Sequence, residues 1–383
     1  MSWHYLLPKQ SQWVKAHRNY WWHHPHRLPK PLWLMLELGL WLRWLSWSAW
    51  HACLVWVRLR GDTFQQQYAV SRRQQYWVLL KLALNWGLHP AQSYAFNLIQ
   101  HPKRVLHYVY NQETAGYHHY HNQQRRVSQA SLHKLQDKTA LAEYLTPLAI
   151  QVAKTCTVIP QMAATPLQPI LSTAGQDAYF IKSRSGNQAQ GAFKVWQKDA
   201  QWLGESFNGQ PLDATALETA WQYLLQNDDA LIQPLYTNHP ALDYLSERDD
   251  VITLRVISRW QQQQPTIYHQ QLEIPYSNGQ KIGYVFLTLD DDGLLLPATT
   301  LPPLPQQQAL NQTLHPLQPL PFHSDIIAQS LQAHRLFPDI HGIAWDWVIT
   351  PTAPILLEGN SGWGTAMPQH FQGPLLNDPI ESD

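Results

Sequence analysis

The sequence predicts an α+β chain in which a helical N-terminal region precedes a body built on antiparallel sheets. Three observations lead there. Through about residue 126 the apolar residues lie in long stretches rarely broken by Gly or Pro, which is the texture of helices. Beyond about residue 132 come short β-rich segments separated by Gly, Asp and Asn. The charge divides at the same place: residues 1–126 carry 15 Lys/Arg against 3 Asp/Glu, a net of +12, and residues 127–383 carry 12 against 24, a net of −12. The zero net charge of the whole is a cancellation, and two bodies with different partners are implied.

At 383 residues and 44% hydrophobic content the chain can fill a sizeable core. Two cysteines, Cys53 and Cys156, are too few for a disulfide framework, and the start MSWHYLLPKQ lacks the regions of a signal peptide. A cytoplasmic location is the expectation.

Residues 1–60 form a basic arm that holds 10 of the 19 tryptophans. Its richest apolar stretch, LWLMLELGLWLRWLSWSAWHACLVWV at residues 32–57, is predicted to be helical. Glu37, Arg43 and His51 interrupt it, so it falls short of the roughly 20 apolar residues of a membrane span. Two readings stay open. The segment is a core helix of a bundle, or it lies in a membrane interface, with Trp at headgroup depth and basic residues against anionic lipid on the inner face. Residues 61–126 continue helical, RQQYWVLLKLALNWGL and HPAQSYAFNLIQHPKRVLHYVY being divided at Gly87 and Pro90.

The body, residues 127–383, opens with LHKLQDKTALAEYLTPLAIQVAKT, read as one amphipathic helix. Strands are then expected in DAYFIKS, GAFKVWQ, DALIQPLY, VITLRVISRW, KIGYVFLTLD, IAWDWVIT and PILLEGN. A Pro-rich loop from Pro297 to Pro321 precedes a helix, SDIIAQSLQAHRLF.

The sharpest chemical signal is the last pair of strands, joined by a turn at residues 350–354. A hairpin symmetric about Thr352 sets Asp346 opposite Glu358 and Ala344 opposite Asn360. Like charges so paired repel, and a hard divalent cation would neutralise them. Asn360, two residues from Glu358, adds a neutral oxygen on the same face. A solvated hairpin with incidental acids is the plainer alternative. DAYFIKSRSGNQAQGAFKVW reads as strand, glycine-containing loop, strand, with Lys182 placed to meet a phosphate and Gly186 and Gly191 letting backbone amides approach anionic oxygens. Many hairpins look the same without binding anything. In VITLRVISRW, Arg255 sits mid-strand beside Thr253 and Arg259, where a guanidinium calls for a phosphate or an acid of the body. The clusters around His23 and His118 lack zinc-ligand spacing and are read as surface or packing residues.

These pieces in this order resemble the ATP-grasp superfamily, specifically its sugar-transfer associated family, over roughly residues 100–375. The resemblance runs through Asp137-Lys138 at the head of a helix, Phe180-Ile181-Lys182 with its glycine loop, Leu231-Ile232-Gln233-Pro234, Thr253-Leu254-Arg255-Val256, His315-Pro316, Trp345-Asp346 and Leu357-Glu358-Gly359-Asn360. It implies an ATP-grasp fold of two α+β subdomains with antiparallel sheets clasping ATP, a lid at about residues 160–235 and a metal-binding subdomain at about 236–375. It further implies a ligase that activates a carboxylate as an acyl phosphate and passes it to an amine. ATP and Mg²⁺, with Mn²⁺ as a substitute, are the cofactors so implied. Lys138, Lys182, Ser185, Gly186 and Gly191 would face the phosphates, Gln233 and the backbone at Leu235 the adenine edge, and Asp346, Glu358 and Asn360 the metal. Arg255, with Lys182, would stabilise the moving phosphoryl group. The loop SRSGNQAQG is poorer in glycine than the family's usual lid.

No general base stands out, and neither the carboxylate nor the amine can be named; family context suggests a sugar-linked or peptide-like substrate. A nucleotide-binding scaffold of cell-surface glycan assembly that has lost catalysis is the alternative. Zero net charge and the lack of a recognised motif argue against a nucleic-acid binder.

Overall fold

The computed structural model describes residues 11–25, 28–163, 165–184, 191–245, 250–277, 282–296 and 319–376. They fall into two compact units, residues 11–126 with 362–376, and residues 127–296 with 319–361.

The first unit is helical: α1 (Gln12–Trp22), α2 (Lys30–Arg43), a π-helical turn (Trp44–Ser48), α3 (Ala49–Tyr68), α4 (Arg72–Trp86), α5 (Pro90–Ala95) and α6 (Thr114–Gln124). Backbone from Lys30 to Tyr68 is helical throughout, with one extra residue accommodated at the π turn. Ala49, Cys53, Val57, Gly61 and Phe64, mostly four residues apart, form the buried stripe of α3. That stripe packs with Leu79, Leu80 and Ala83 of α4. A capping box of Ser71 and Gln74 starts α4, and Gly87 ends it at φ 64°. The next stretch departs from the expected helix. Only the six residues of α5 are α-helical, because Asn97 turns the chain at φ 49° and Pro102 opens a 3₁₀ turn, Pro102–His107. Gln369 closes the unit, its amide accepting from Val109 N–H at 2.8 Å and donating to the Val109 carbonyl at 2.7 Å. His118 is buried and donates from Nε2 to the Trp363 carbonyl at 2.7 Å, so it is a packing residue.

The second unit begins with α7 (Gln129–Gln136) and α8 (Lys138–Leu145), where periodicity alone read one continuous helix and the resemblance put Asp137-Lys138 at a helix head, as found. Asp137 divides them. It adopts an extended conformation, ψ 112°, and its carboxylate accepts from Thr139 and Ala140 N–H as the N-cap of α8. Pro147 and Ala149, at φ 55°, end the helical stretch soon after.

Two antiparallel sheets follow, as expected of the α+β class. The first contains β1 (Thr157–Ile159), β2 (Ala178–Ser183), β3 (Phe193–Lys198), β4 (Gln201–Ser206), β5 (Pro211–Leu212) and β6 (Ala230–Pro234), in the order β1-β6-β2-β3-β4-β5. The second contains β7 (Thr253–Gln261), β8 (Gln264–Ser277), β9 (Ile282–Thr288), β10 (Gly342–Ile349) and β11 (Pro354–Asn360), in the order β11-β10-β7-β8-β9. Each sheet buries one face on helices. Tyr179, Ile181, Phe193 and Val195 of the first pack with α9 (Leu167–Ala174) and with Leu217, Trp221 and Leu224 of α10 (Ala214–Asn227). On the second, Trp347 donates to Ser330 of α11 (His323–Arg335) at 2.9 Å, and Trp345 to Ser258 at 3.0 Å. The alternation that buries these residues leaves Phe180, Lys182, Lys194 and Gln233 on the opposite face of the first sheet, and Arg255, Asp346, Glu358 and Asn360 on that of the second. A last helix, α12 (Ala366–Gln372), belongs to the first unit.

All seven expected strands are present. Two longer ones were not foreseen: β4, and β8, the longest strand described.

Candidate functional site

The site is built outward from the β10–β11 hairpin. Thr350 makes its turn, donating from Oγ1 to the Ala353 carbonyl at 2.6 Å and accepting from Ala353 N–H at 3.2 Å. Near the turn the register is Ile349 to Pro354 and Trp347 to Leu356. A bulge at Leu357 then adds one residue, so that Asp346 falls opposite Glu358 and Ala344 opposite Asn360, the pairing expected from the sequence. On the other side of β10, Asp346 faces Arg255 of β7, and Arg255 faces Gln271 of β8. One row across four strands therefore reads Glu358, Asp346, Arg255, Gln271.

The two carboxylates were expected to repel until a metal arrived. In the structure side chains already compensate them. Arg255 straddles Asp346 with a two-pronged fork, Nε to Oδ1 at 2.7 Å and Nη2 to Oδ2 at 2.8 Å. Its remaining nitrogen, Nη1, reaches Glu273 Oε1 at 2.8 Å. Of the two partners open to Arg255, a phosphate and an acid, acids are the ones in place. Glu273 is itself held: His269 Nε2 donates to Gln271 Oε1 at 2.9 Å, and Gln271 Nε2 donates to Glu273 Oε1 at 2.8 Å. Glu358 lies 3.7 Å from Lys138 Nζ and accepts from the Asn360 amide at 2.9 Å.

Burial, which disfavours charge, pushes Asp346 and Glu273 above the usual carboxylate range, with Arg255 opposing it in both. The repulsion by Glu358 adds to Asp346, but burial is the larger cause. Glu358 moves the other way. Burial would raise it, but Lys138, the Asn360 hydrogen bond, Lys182 and Arg255 together hold it low. Lys182, from β2 of the other sheet, is lowered to about 8, first by burial and then by Lys138, against the pull of Glu358 and Asp346.

Lys138 is set by the start of α8 and donates from Nζ to the Arg184 carbonyl at 3.2 Å. Arg184 in turn grips the cap residue Asp137 at 2.7 Å and Asp229 at 3.3 Å, which ties the head of α8 to the end of β2. Gln233 is buried on the same face of the first sheet as Lys182, its amide directed to the Ala153 carbonyl and to Thr155, each at 3.5 Å. The N–H of Leu235 is taken by the Ala178 carbonyl at 3.2 Å, so any adenine contact there would use another atom. Gly191 adopts φ +74° with open space at its Cβ position. Ser185, Gly186 and His315 lie outside the described residues.

Two groups of like-charged carriers are thus brought together: Lys138, Lys182 and Arg255, with Asp346, Glu358 and Glu273. Asp346, Glu358 and the Asn360 carbonyl are hard oxygen donors that fit Mg²⁺. Among the described residues no three His, Cys, Asp or Glu side chains are grouped to hold a metal by themselves. Glu273 was missed from the sequence. Its signal was there, a lone acid among the apolar residues of LEIPY, but the hairpin that brings it to Arg255 turns at Gln262-Gln263, without the Gly or Asn that usually marks such a turn.

No protein-family model matches the chain, and no curated protein matches it. Solved structures do. D-alanine–D-alanine ligase from Helicobacter pylori is 10% identical over 60% of this chain and 52% of its own, with a TM-score of 0.35. D-alanyl-alanine synthetase A from Vibrio cholerae O1 biovar eltor is 15% identical over 61% and 57%, with a TM-score of 0.36. An ADP complex of N5-carboxyaminoimidazole ribonucleotide synthetase is 10% identical over 61% and 47%, with a TM-score of 0.36. The chain spans about half the length of the solved structures it matches.

Proposed function

We propose that this chain is an ATP-dependent carboxylate–amine ligase of the ATP-grasp kind. The observation that carries the reading is the convergence of Lys138 of α8 and Lys182 of the first sheet upon Asp346, Glu358 and Arg255 of the second. Cations that meet phosphate oxygens and acids that meet a divalent metal are what a metal-nucleotide requires, and few other ligands use both.

ATP with Mg²⁺ would supply the phosphoryl group that turns a substrate carboxylate into a leaving-group-bearing acyl phosphate, open to attack by an amine. Asp346, Glu358 and Asn360 would hold the metal. Lys138 and Lys182 would carry the phosphates as point charges, and Arg255, kept in orientation by Glu273, would neutralise charge as it develops. These roles are positioning and electrostatics, and no side chain is assigned as general base. Gln233 would serve the adenine edge. A sugar-linked or peptide-like carboxylate is the substrate class we favour.

The test is ADP release by the full chain with Mg·ATP against a panel of carboxylates and amines. Stimulation that needs both partners and disappears in Asp346→Asn supports the ligase. One observation favours the second reading, a nucleotide-binding scaffold: Arg255 already occupies both oxygens of Asp346. ATP binding without turnover on any panel member, unchanged by Asp346→Asn, would select it.

A further inference from the structure

The first unit carries a surface the proposed chemistry does not use. In α2 only Trp33 is buried. It packs against Trp21 of α1 at 4.6 Å between ring centroids, the rings tilted by 35°, and Trp21 also donates to Glu37 at 3.3 Å. Leu34, Glu37 and Trp41 are half-buried, but Leu32, Leu36, Leu38, Leu40 and Leu42 are exposed, and Met35 is 70% exposed. The surface continues past the π turn through Trp47, also 70% exposed, Trp50 and Leu54 to Leu59. Of the two readings open for residues 32–57, each fits one half. α3 is core on the face turned to α4, whereas α2 is core nowhere but at Trp33. So many large apolar side chains left exposed along one helical stretch mark an interaction site.

Charge decides what covers it. The three acids of residues 1–126 are all engaged within the unit: Glu37 by Trp21, Asp62 by an ion pair with Arg72, and Glu113 by the buried His17 at 2.9 Å. Lys30, Arg43, Arg58, Arg73 and Lys81 are exposed. A partner must therefore offer apolar depth and a negative rim. Among the described residues no helix is long and apolar enough to cross a membrane.

We infer that α2 and the start of α3 form an interfacial docking helix for an anionic lipid bilayer. The Leu and Met side chains enter the acyl boundary, Trp47 and Trp50 lie at headgroup depth, and the flanking Lys and Arg meet lipid phosphates. This inference stands independently of the ligase reading.

The experiment is co-sedimentation of the full chain with vesicles of phosphatidylcholine alone, or containing about 30% phosphatidylglycerol, at about 0.1 M salt. Binding is expected to the anionic vesicles and to weaken at least tenfold with Met35→Glu/Trp47→Glu. Both sites are exposed, so thermal melting should not change. Arg43→Gln and Arg58→Gln should each weaken binding about fivefold, the equivalent of about 1 kcal/mol per basic residue at such a surface. Equal binding to neutral vesicles, or to anionic vesicles by the double variant, overturns the inference. So does a two-chain mass in solution that the double variant halves, which would make a second copy the occupant.

Discussion

Replacing Lys182 by Met tests the convergence of charges at its most sensitive point. Folding lowers the Lys182 ammonium from the ordinary 10.5 to about 8, because the group is buried and lies near Lys138. That difference, at about 1.4 kcal/mol for each pH unit, is roughly 3 kcal/mol against the charged form. Lys182 keeps some exposure, so solvent screening brings the expected figure to about 1–3 kcal/mol. The sign follows from linkage. Below pH 8 both folded and unfolded chains hold the proton and the penalty is complete. Between about 8 and 10.5 the unfolded chain binds the proton and the folded chain does not, so stability rises with pH. Met keeps the length and removes the charge. At pH 7 the variant should melt above wild type, by about 2–4 °C per kcal/mol for a unit of this size, and the gap should close as the pH approaches 10. ATP affinity should fall in Lys182→Met and largely survive in Lys182→Arg. Thermal melts from pH 6.5 to about 10 on both proteins, with binding by calorimetry, supply the measurements. A variant that melts at or below wild type at pH 7, with the same pH dependence, refutes the buried-cation account.

Three further perturbations probe the second sheet. Arg255→Lys cannot reproduce three bonds to Asp346 and Glu273 from one ammonium, so ADP release should drop by at least about 100-fold; a wild-type rate would remove Arg255 from the chemistry. Glu358→Gln should cost no more than about 1 kcal/mol of stability, because the Glu358 end of its pair with the buried Lys138 is partly exposed and Lys138 keeps the Arg184 carbonyl, yet abolish Mg²⁺-dependent turnover. Retained turnover would place the metal elsewhere. Gly359→Ala should destabilise by about 1–3 kcal/mol in chemical denaturation, because the new Cβ would come within 2.6 Å of Leu135 and 2.8 Å of the buried Trp345 ring; an unchanged midpoint would show that α7 yields freely.

How far the site could be read from sequence depends on how locally each part is specified. Asp346 and Glu358 were legible because a short turn fixes which residues meet, and the bulge at Leu357 supplies the one-residue correction that makes the symmetric guess hold. The strand holding Lys182 was legible from its alternation and flanking Gly. The fork of Arg255 onto Asp346 was not, since β7 and β10 are adjacent in the sheet but separated by more than 80 residues. Glu273 was hidden for a different reason: a two-residue turn at Gln262-Gln263 joins β8 to β7 but lacks the Gly or Asn that usually marks such a turn, and β8 itself escaped notice because QQQPTIYHQQLEIPY mixes Gln through the strand instead of alternating cleanly. The break at Asp137 shows the opposite failure. Helical periodicity continues through it, but a carboxylate that caps the next turn competes with helix continuation, and the cap prevailed.

The cations Lys138, Lys182 and Arg255 and the acids Glu273, Asp346 and Glu358 sum formally to zero. A seat so balanced exerts no net pull on a lone ion of either sign. A bare divalent cation would have to displace Arg255 from Asp346 and leave the guanidinium only Glu273, and a bare nucleotide would have to compete with Asp346 for that same guanidinium. On the reading proposed above, a complex bearing both signs would let Asp346 turn to the metal as Arg255 turns to phosphate. Metal and nucleotide should then each tighten the other's binding by one common factor, as reciprocal linkage demands.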